Sequence, residues 1–183
     1  MPGQLNLRHP VLQLIAVLLG LVVVGALCGL LWEWLWTPAQ GVVVKHAWYP
    51  ISWDRAQPAD FSGTGWYVAI SLVAGLVLGA LAAWRVDHWP IATLVVVAVG
   101  GLVGAVLMRV VGYSVRPGDP NVLANTAANG TPLPSTLHLA SWWLVLAMPG
   151  AALAGLTVVF LLAGGRAVEK SVLSEPAELS SPQ

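Results

Sequence analysis

The chain has 183 residues, 57% of them hydrophobic and 9% charged, with a mean hydropathy of +0.78 and no net charge. Soluble domains carry about 25% charged residues, so this composition excludes a chain that solvates its own surface. Zero net charge argues against a nucleic-acid partner held on a basic face. The single cysteine, Cys28, excludes an internal disulfide and any metal site built on several thiolates.

Residues 1–10 read as a short N-terminal segment ahead of a membrane domain at 11–165. A hydrocarbon core needs about 20 apolar residues to cross. Four blocks reach that length, at about 11–36, 66–84, 91–112 and 142–164, each apolar on every face. The first run is too long for a signal-peptide core, and its Trp32–Trp36 end is a poor approach to a peptidase, so an uncleaved first helix is expected. Tryptophan marks the block ends, at Trp32, Trp34, Trp36, Trp66, Trp84, Trp89, Trp142 and Trp143. Indole favours the headgroup layer because its ring is apolar while its N–H needs a partner, and these side chains are therefore expected at the two interfaces.

Four spans put both termini on one side. Arg8, Arg85, Arg166 and Lys170 lie there, against Lys45, Arg55, Arg109 and Arg116 on the other. The count ties. Arg8, Arg85 and Arg166 abut helix ends directly, and the positive-inside rule then places the termini in the cytoplasm of a cell-membrane protein.

Small residues recur at helical spacing in every block, as Gly25/Gly29, Gly75/Gly79, Gly100/Gly104 and Ala151/Gly155. In lipid, helices associate through close backbone approach, so these stripes predict a compact four-helix bundle. They also suggest an internal repeat. The first and third blocks align at an offset of 75, the second and fourth at 76, and the intervening segments are 29 residues each. Two helix hairpins in tandem would be related by an axis along the membrane normal. Chance alignment of Gly- and Ala-rich helices is the competing explanation. Pro149 predicts a kink near Val145, where it removes one backbone bond.

The first 29-residue segment contains the β-prone run Gly41–Tyr49, read as a short strand or hairpin arm. Pro50, Pro58 and Ser62-Gly63-Thr64-Gly65 then read as turns. His46, Asp54, Arg55 and Asp60 lie there among Trp48, Tyr49, Trp53 and Phe61. Acids, imidazole and aromatics in one segment suit a binding surface, although such charges also simply solvate a loop. The second segment, Arg116 to Ser135, reads as irregular coil, and the tail from 166 to 183 as disordered.

No phosphate-binding glycine loop, nucleophile elbow or paired-cysteine motif is present, so neither cofactor nor metal is expected and the chain does not read as an enzyme. Glu33 and Arg109 sit near the same ends of the first and third blocks. Such groups snorkel to the interface, pair with each other, or line a substrate or proton path.

The Gly-Ala-Leu-x-Gly-Leu-Leu-Trp run at Gly25–Trp32, the segment after it and the Val/Ala/Gly/Trp-rich composition resemble small four-helix membrane proteins of actinobacteria, from families of unknown function. That resemblance implies no activity and supplies no functional residues. The residues themselves favour a non-catalytic accessory or scaffolding subunit whose outer segments contact another envelope component or membrane protein. The alternative is a small transporter or channel acting as a homo-oligomer, against which stands the scarcity of polar residues in the spans: Gln13, Ser71, Thr93 and Thr157 are almost the whole set.

Overall fold

The computed structural model describes residues 8–85, 90–115 and 118–174. Helix α1 spans Arg8–Leu35, α2 Trp53–Arg85, α3 Pro90–Ser114, the short α4 Pro120–Ala124, and α5 Ala147–Ser174. Strands β1 (Gln40–Val44), β2 (Ala47–Pro50) and β3 (Pro132–Pro134) form one antiparallel sheet of order β2-β1-β3. Among the described residues, four helical stretches are long and apolar enough to cross a membrane: Val11–Leu35, Ala56–Arg85, Pro90–Ser114 and Trp142–Ala163. The molecule is therefore mostly helical, with a small sheet capping one end of the bundle.

The small-residue stripes set the packing. On α1, Gly25 faces the Gly104 backbone and Gly29 the Met108 carbonyl, while Gly112 of α3 receives the Trp32 ring. On α2, Gly75 meets Met148 and Ala151, Gly79 meets Ala152, and Gly155 of α5 meets the Leu76 carbonyl. In both pairs the contact advances along the two helices together, so α1 runs parallel to α3 and α2 parallel to α5. A methyl group at most of these positions would overlap backbone, which explains glycine there through close approach. Between the pairs, Val97, Ala105, Met108, Val145, Met148 and Ala152 are completely buried.

Four expectations need correction. The sequence Trp53–Gly65 is helical and extends α2 beyond its apolar stretch. Pro58 lies inside that helix, in its second turn, where it leaves the Asp54 carbonyl without its helical donor, and Gly63 is an approach point rather than a turn. The second connecting segment is ordered by pairing with the first, forming α4 and β3 in place of coil. Pro149 removes no α-helical bond: a 3₁₀ turn over Trp142–Leu146 leads into α5, and the proline falls in the first turn of that α-helix, whose N–H groups have no intrahelical partner.

The fourth concerns tryptophan. Trp34, Trp66, Trp84, Trp142 and Trp143 are exposed, as an interfacial belt requires, but Trp32 and Trp36 are buried. Their indoles donate to the α2 carbonyls of Gly63 (2.7 Å) and Ala59 (2.8 Å). Donors four residues apart on α1 thus meet acceptors four residues apart on α2. The bonds satisfy the N–H groups inside the protein and remove the reason for these rings to seek the headgroups. Trp89 lies outside the described residues. Helix α5 continues past Gly164 to Ser174, and residues 175–183 of the tail lie outside the described residues.

Candidate functional site: a cleft in the cap

The cap begins at a two-residue hairpin. Val44 pairs with Ala47, and Lys45 (φ 50°) and His46 (φ 61°) both occupy the left-handed region. A type I′ turn needs that conformation twice and normally takes Asn-Gly. Here the second connecting segment holds the tip from outside. The Lys45 amide donates to Asn129 Oδ1 (2.8 Å), and His46 Nδ1 lies 3.2 Å from the Asn125 carbonyl. Val43 exchanges backbone bonds with Thr131 and Gly130.

Further down, β3 is fastened on both sides. The Ala39 amide donates to Ser135 Oγ (3.0 Å), and the Ser135 amide donates to the Ala39 carbonyl (2.7 Å). Trp48 lies across Gly41, where any side chain would collide with its ring, and its Nε1 donates to the Leu133 carbonyl (2.9 Å). The sheet rests on the bundle through Leu137 and Leu139, packed with Trp32, Trp36, Tyr67 and Met108. The Leu139 amide donates to the Tyr113 hydroxyl (3.0 Å).

Between β2, the start of α2 and α4 this framework leaves a cleft of about 600 Å³. Trp48, Tyr49 and Trp53 supply aromatic surface; Asp60, Asp119, Asn121 and His138 supply charge and hydrogen-bonding groups. Asp119 also caps α4, its Oδ1 accepting from the Asn121 amide (2.9 Å). Tyr49 and Trp53 are 51% and 67% exposed, so their faces are open to a ligand. A second cavity of about 550 Å³, lined by Thr37, Gln40, Ser52, Pro58 and Ser62 among others, has no ionisable side chain in its wall among the described residues. The first is the better candidate, because aromatic faces and convergent polar groups are the ingredients of a recognition site.

The chain matches no known protein family, curated protein or solved structure.

Of the residues singled out from sequence, Trp48, Tyr49, Trp53 and Asp60 line this cleft. His46 stands apart at the hairpin tip, Asp54 lies in the first turn of α2 outside the cleft wall, and the Arg55 side chain lies outside the described residues. Sequence reasoning missed Asp119, Asn121 and Ser135, which come from the stretch read as coil, and Thr136 and His138 just beyond it. The Asp119-Pro120 pair was the available signal, since Asp before Pro is a helix-start pattern.

Within the bundle, Glu33 and Arg109 are both half-buried. The Arg109 guanidinium stands 5.4 Å from the Tyr113 ring centre and 5.9 Å from that of Trp142, within range of a cation–π interaction. Tyr67 and Ser71 are buried, the Tyr67 hydroxyl donating to the Ala105 carbonyl (3.1 Å) and the Ser71 hydroxyl to the Met108 sulfur (3.5 Å). Among the described residues, no three His, Cys, Asp or Glu side chains gather where they could hold a metal ion.

Proposed function

We propose that this chain is a non-catalytic subunit of the cell membrane, with both termini cytoplasmic, whose cap engages another component of the cell envelope. The observation that carries this reading is the cap itself. Two segments from different halves of the chain are fastened into one folded unit, and that unit presents an open aromatic and polar cleft. Rigid support of exposed aromatic anchors is how recognition surfaces are built. The interior, by contrast, is filled: helix backbones touch at the glycine stripes, and the buried Tyr67 and Ser71 spend their hydroxyls on groups within the bundle. Cations abutting the helix ends, Arg85 among them, support the orientation, which sets the cap on the outer face.

The tandem-hairpin reading belongs with this proposal. The α2–α5 contact exchanges with itself under a shift of 76: Gly79 meets Ala152, and Gly155 meets Leu76. The α1–α3 contact is slid by about one turn, with Gly25 on Gly104 although an offset of 75 would match it to Gly100.

The test is a photo-reactive amino acid placed in living cells at Tyr49 or Trp53, with Val158 of α5 as a lipid-facing control. A discrete adduct with one other envelope component, formed from the cap positions alone, is the expected result. Adducts only between copies of this chain, together with solute flux in reconstituted liposomes, would overturn the reading in favour of an oligomeric transporter.

A further inference from the structure

The two helix pairs do not close against each other along their whole length. Near the cap, α1 and α2 are joined by the Trp32 and Trp36 indole bonds. Towards the other end a groove of about 260 Å³ opens between them, walled by Val17 and Gly20 of α1 and Leu78 and Leu81 of α2, with Gln13 and Arg85 at its far end. Gly20 differs from Gly25 and Gly29 on the same helix. They face the α3 backbone, whereas a side chain at Gly20 would meet nothing within 4 Å. Helix packing therefore gives no reason for glycine at position 20, and its missing side chain deepens the groove.

We propose that this groove binds one acyl chain of an anionic phospholipid whose phosphate is held by Arg85. The walls are hydrocarbon, and among the described residues the ionisable group that lines them is a cation at the end of a membrane-crossing helix, the depth at which lipid phosphates lie. Guanidinium offers phosphate a fork of paired donors, and Gln13 adds an amide beside it. A helix from a second copy fits less well. The flanking α1 residues Leu12, Ile15 and Leu19 are bulky and outward-facing, 46–62% exposed, and hold a neighbouring backbone away where a slender chain still enters. This site is independent of the cap and of what the cap engages.

The experiment is native mass spectrometry of the full chain released from detergent, titrated with phosphatidylglycerol or with phosphatidylcholine. One retained phosphatidylglycerol per chain is expected, held more tightly than phosphatidylcholine. Arg85→Gln should weaken it about fivefold, the worth of one cation beside an anionic lipid surface. Gly20→Leu, which fills the groove, should remove it, while Gly150→Leu, at an equally open position on α5, should leave it unchanged. Equal retention of both lipids, or of phosphatidylglycerol by all variants, would overturn the proposal. So would a dimer that Gly20→Leu dissociates. Should Gly20→Leu fail to fold, Arg85→Gln decides alone, because its side chain is exposed and its loss leaves the packing intact.

Discussion

Glycines in this bundle are not equivalent, and the difference is measurable. At Gly79 an added methyl group would overlap the Ala152 backbone, and at Gly25 the Gly104 backbone. Gly79→Ala or Gly25→Ala should therefore separate two helices and cost about 1–3 kcal/mol, the usual penalty of overpacking. Gly150→Ala, with open space at its side-chain position, should cost nothing measurable. Thermal unfolding in mild detergent separates the two outcomes. Arg109 makes a second test. Its charge rests against Tyr113 and Trp142, so Arg109→Gln should cost about 0.5–2 kcal/mol through lost cation–π attraction. A double-mutant cycle with Glu33→Gln then measures whether the two charges couple; additive effects would remove the ion-pair reading.

At the scale of elements, the hairpin is the place where local sequence and tertiary structure disagree. Lys45 and His46 are poor residues for a type I′ turn, and each carries a left-handed backbone at a cost of about 1–2 kcal/mol. The joint change Lys45→Asn, His46→Gly should raise the stability of the cap, read as slower amide exchange at Val43 and Val44. Asn129→Ala should do the reverse by taking away the acceptor of the Lys45 amide. The same tension explains what was legible beforehand. Four spans were readable because apolar length is a local property, and Gly41–Tyr49 because β-branched and aromatic residues favour a pleated strand. Strand β3 was not. Pro-Leu-Pro has no strand propensity, and Pro132 and Pro134 are tolerated because they occupy an edge whose missing donors cost no ladder bond. The partners of Trp32 and Trp36 were illegible for a related reason. An indole goes where its N–H finds an acceptor, and the acceptors at Ala59 and Gly63 lie on a helical extension with no apolar signal.

For the whole molecule, topology is the property that most needs a direct measurement. Single cysteines replacing Gln57, next to the cap, and Glu175, in the C-terminal tail, should react with membrane-impermeant reagents from opposite sides, with position 57 labelled from outside. Cys28 is buried, so it should contribute little background. Labelling of both positions from one side would overturn the orientation and the outward-facing cleft with it. Half of that cleft was legible in sequence, because Trp48, Tyr49, Trp53 and Asp60 are neighbours in the chain. The other half arrives from about seventy residues away and depends on how the two connecting segments interlock.

That interlock fixes an order of events during synthesis. Ala39 and Ser135 are 96 positions apart, and two full helices separate them. Strand β1 can close on β2 as soon as the first connecting segment has been synthesised, but its other edge stays open until β3 follows. A nascent chain halted after α3 should accordingly expose β1 to added protease, and release of the remainder should protect it. In the interval that bare edge is a ready template for any extended segment nearby. The brevity of β3, three residues with a proline at each end, suits a strand that must arrive late and stop the pairing there.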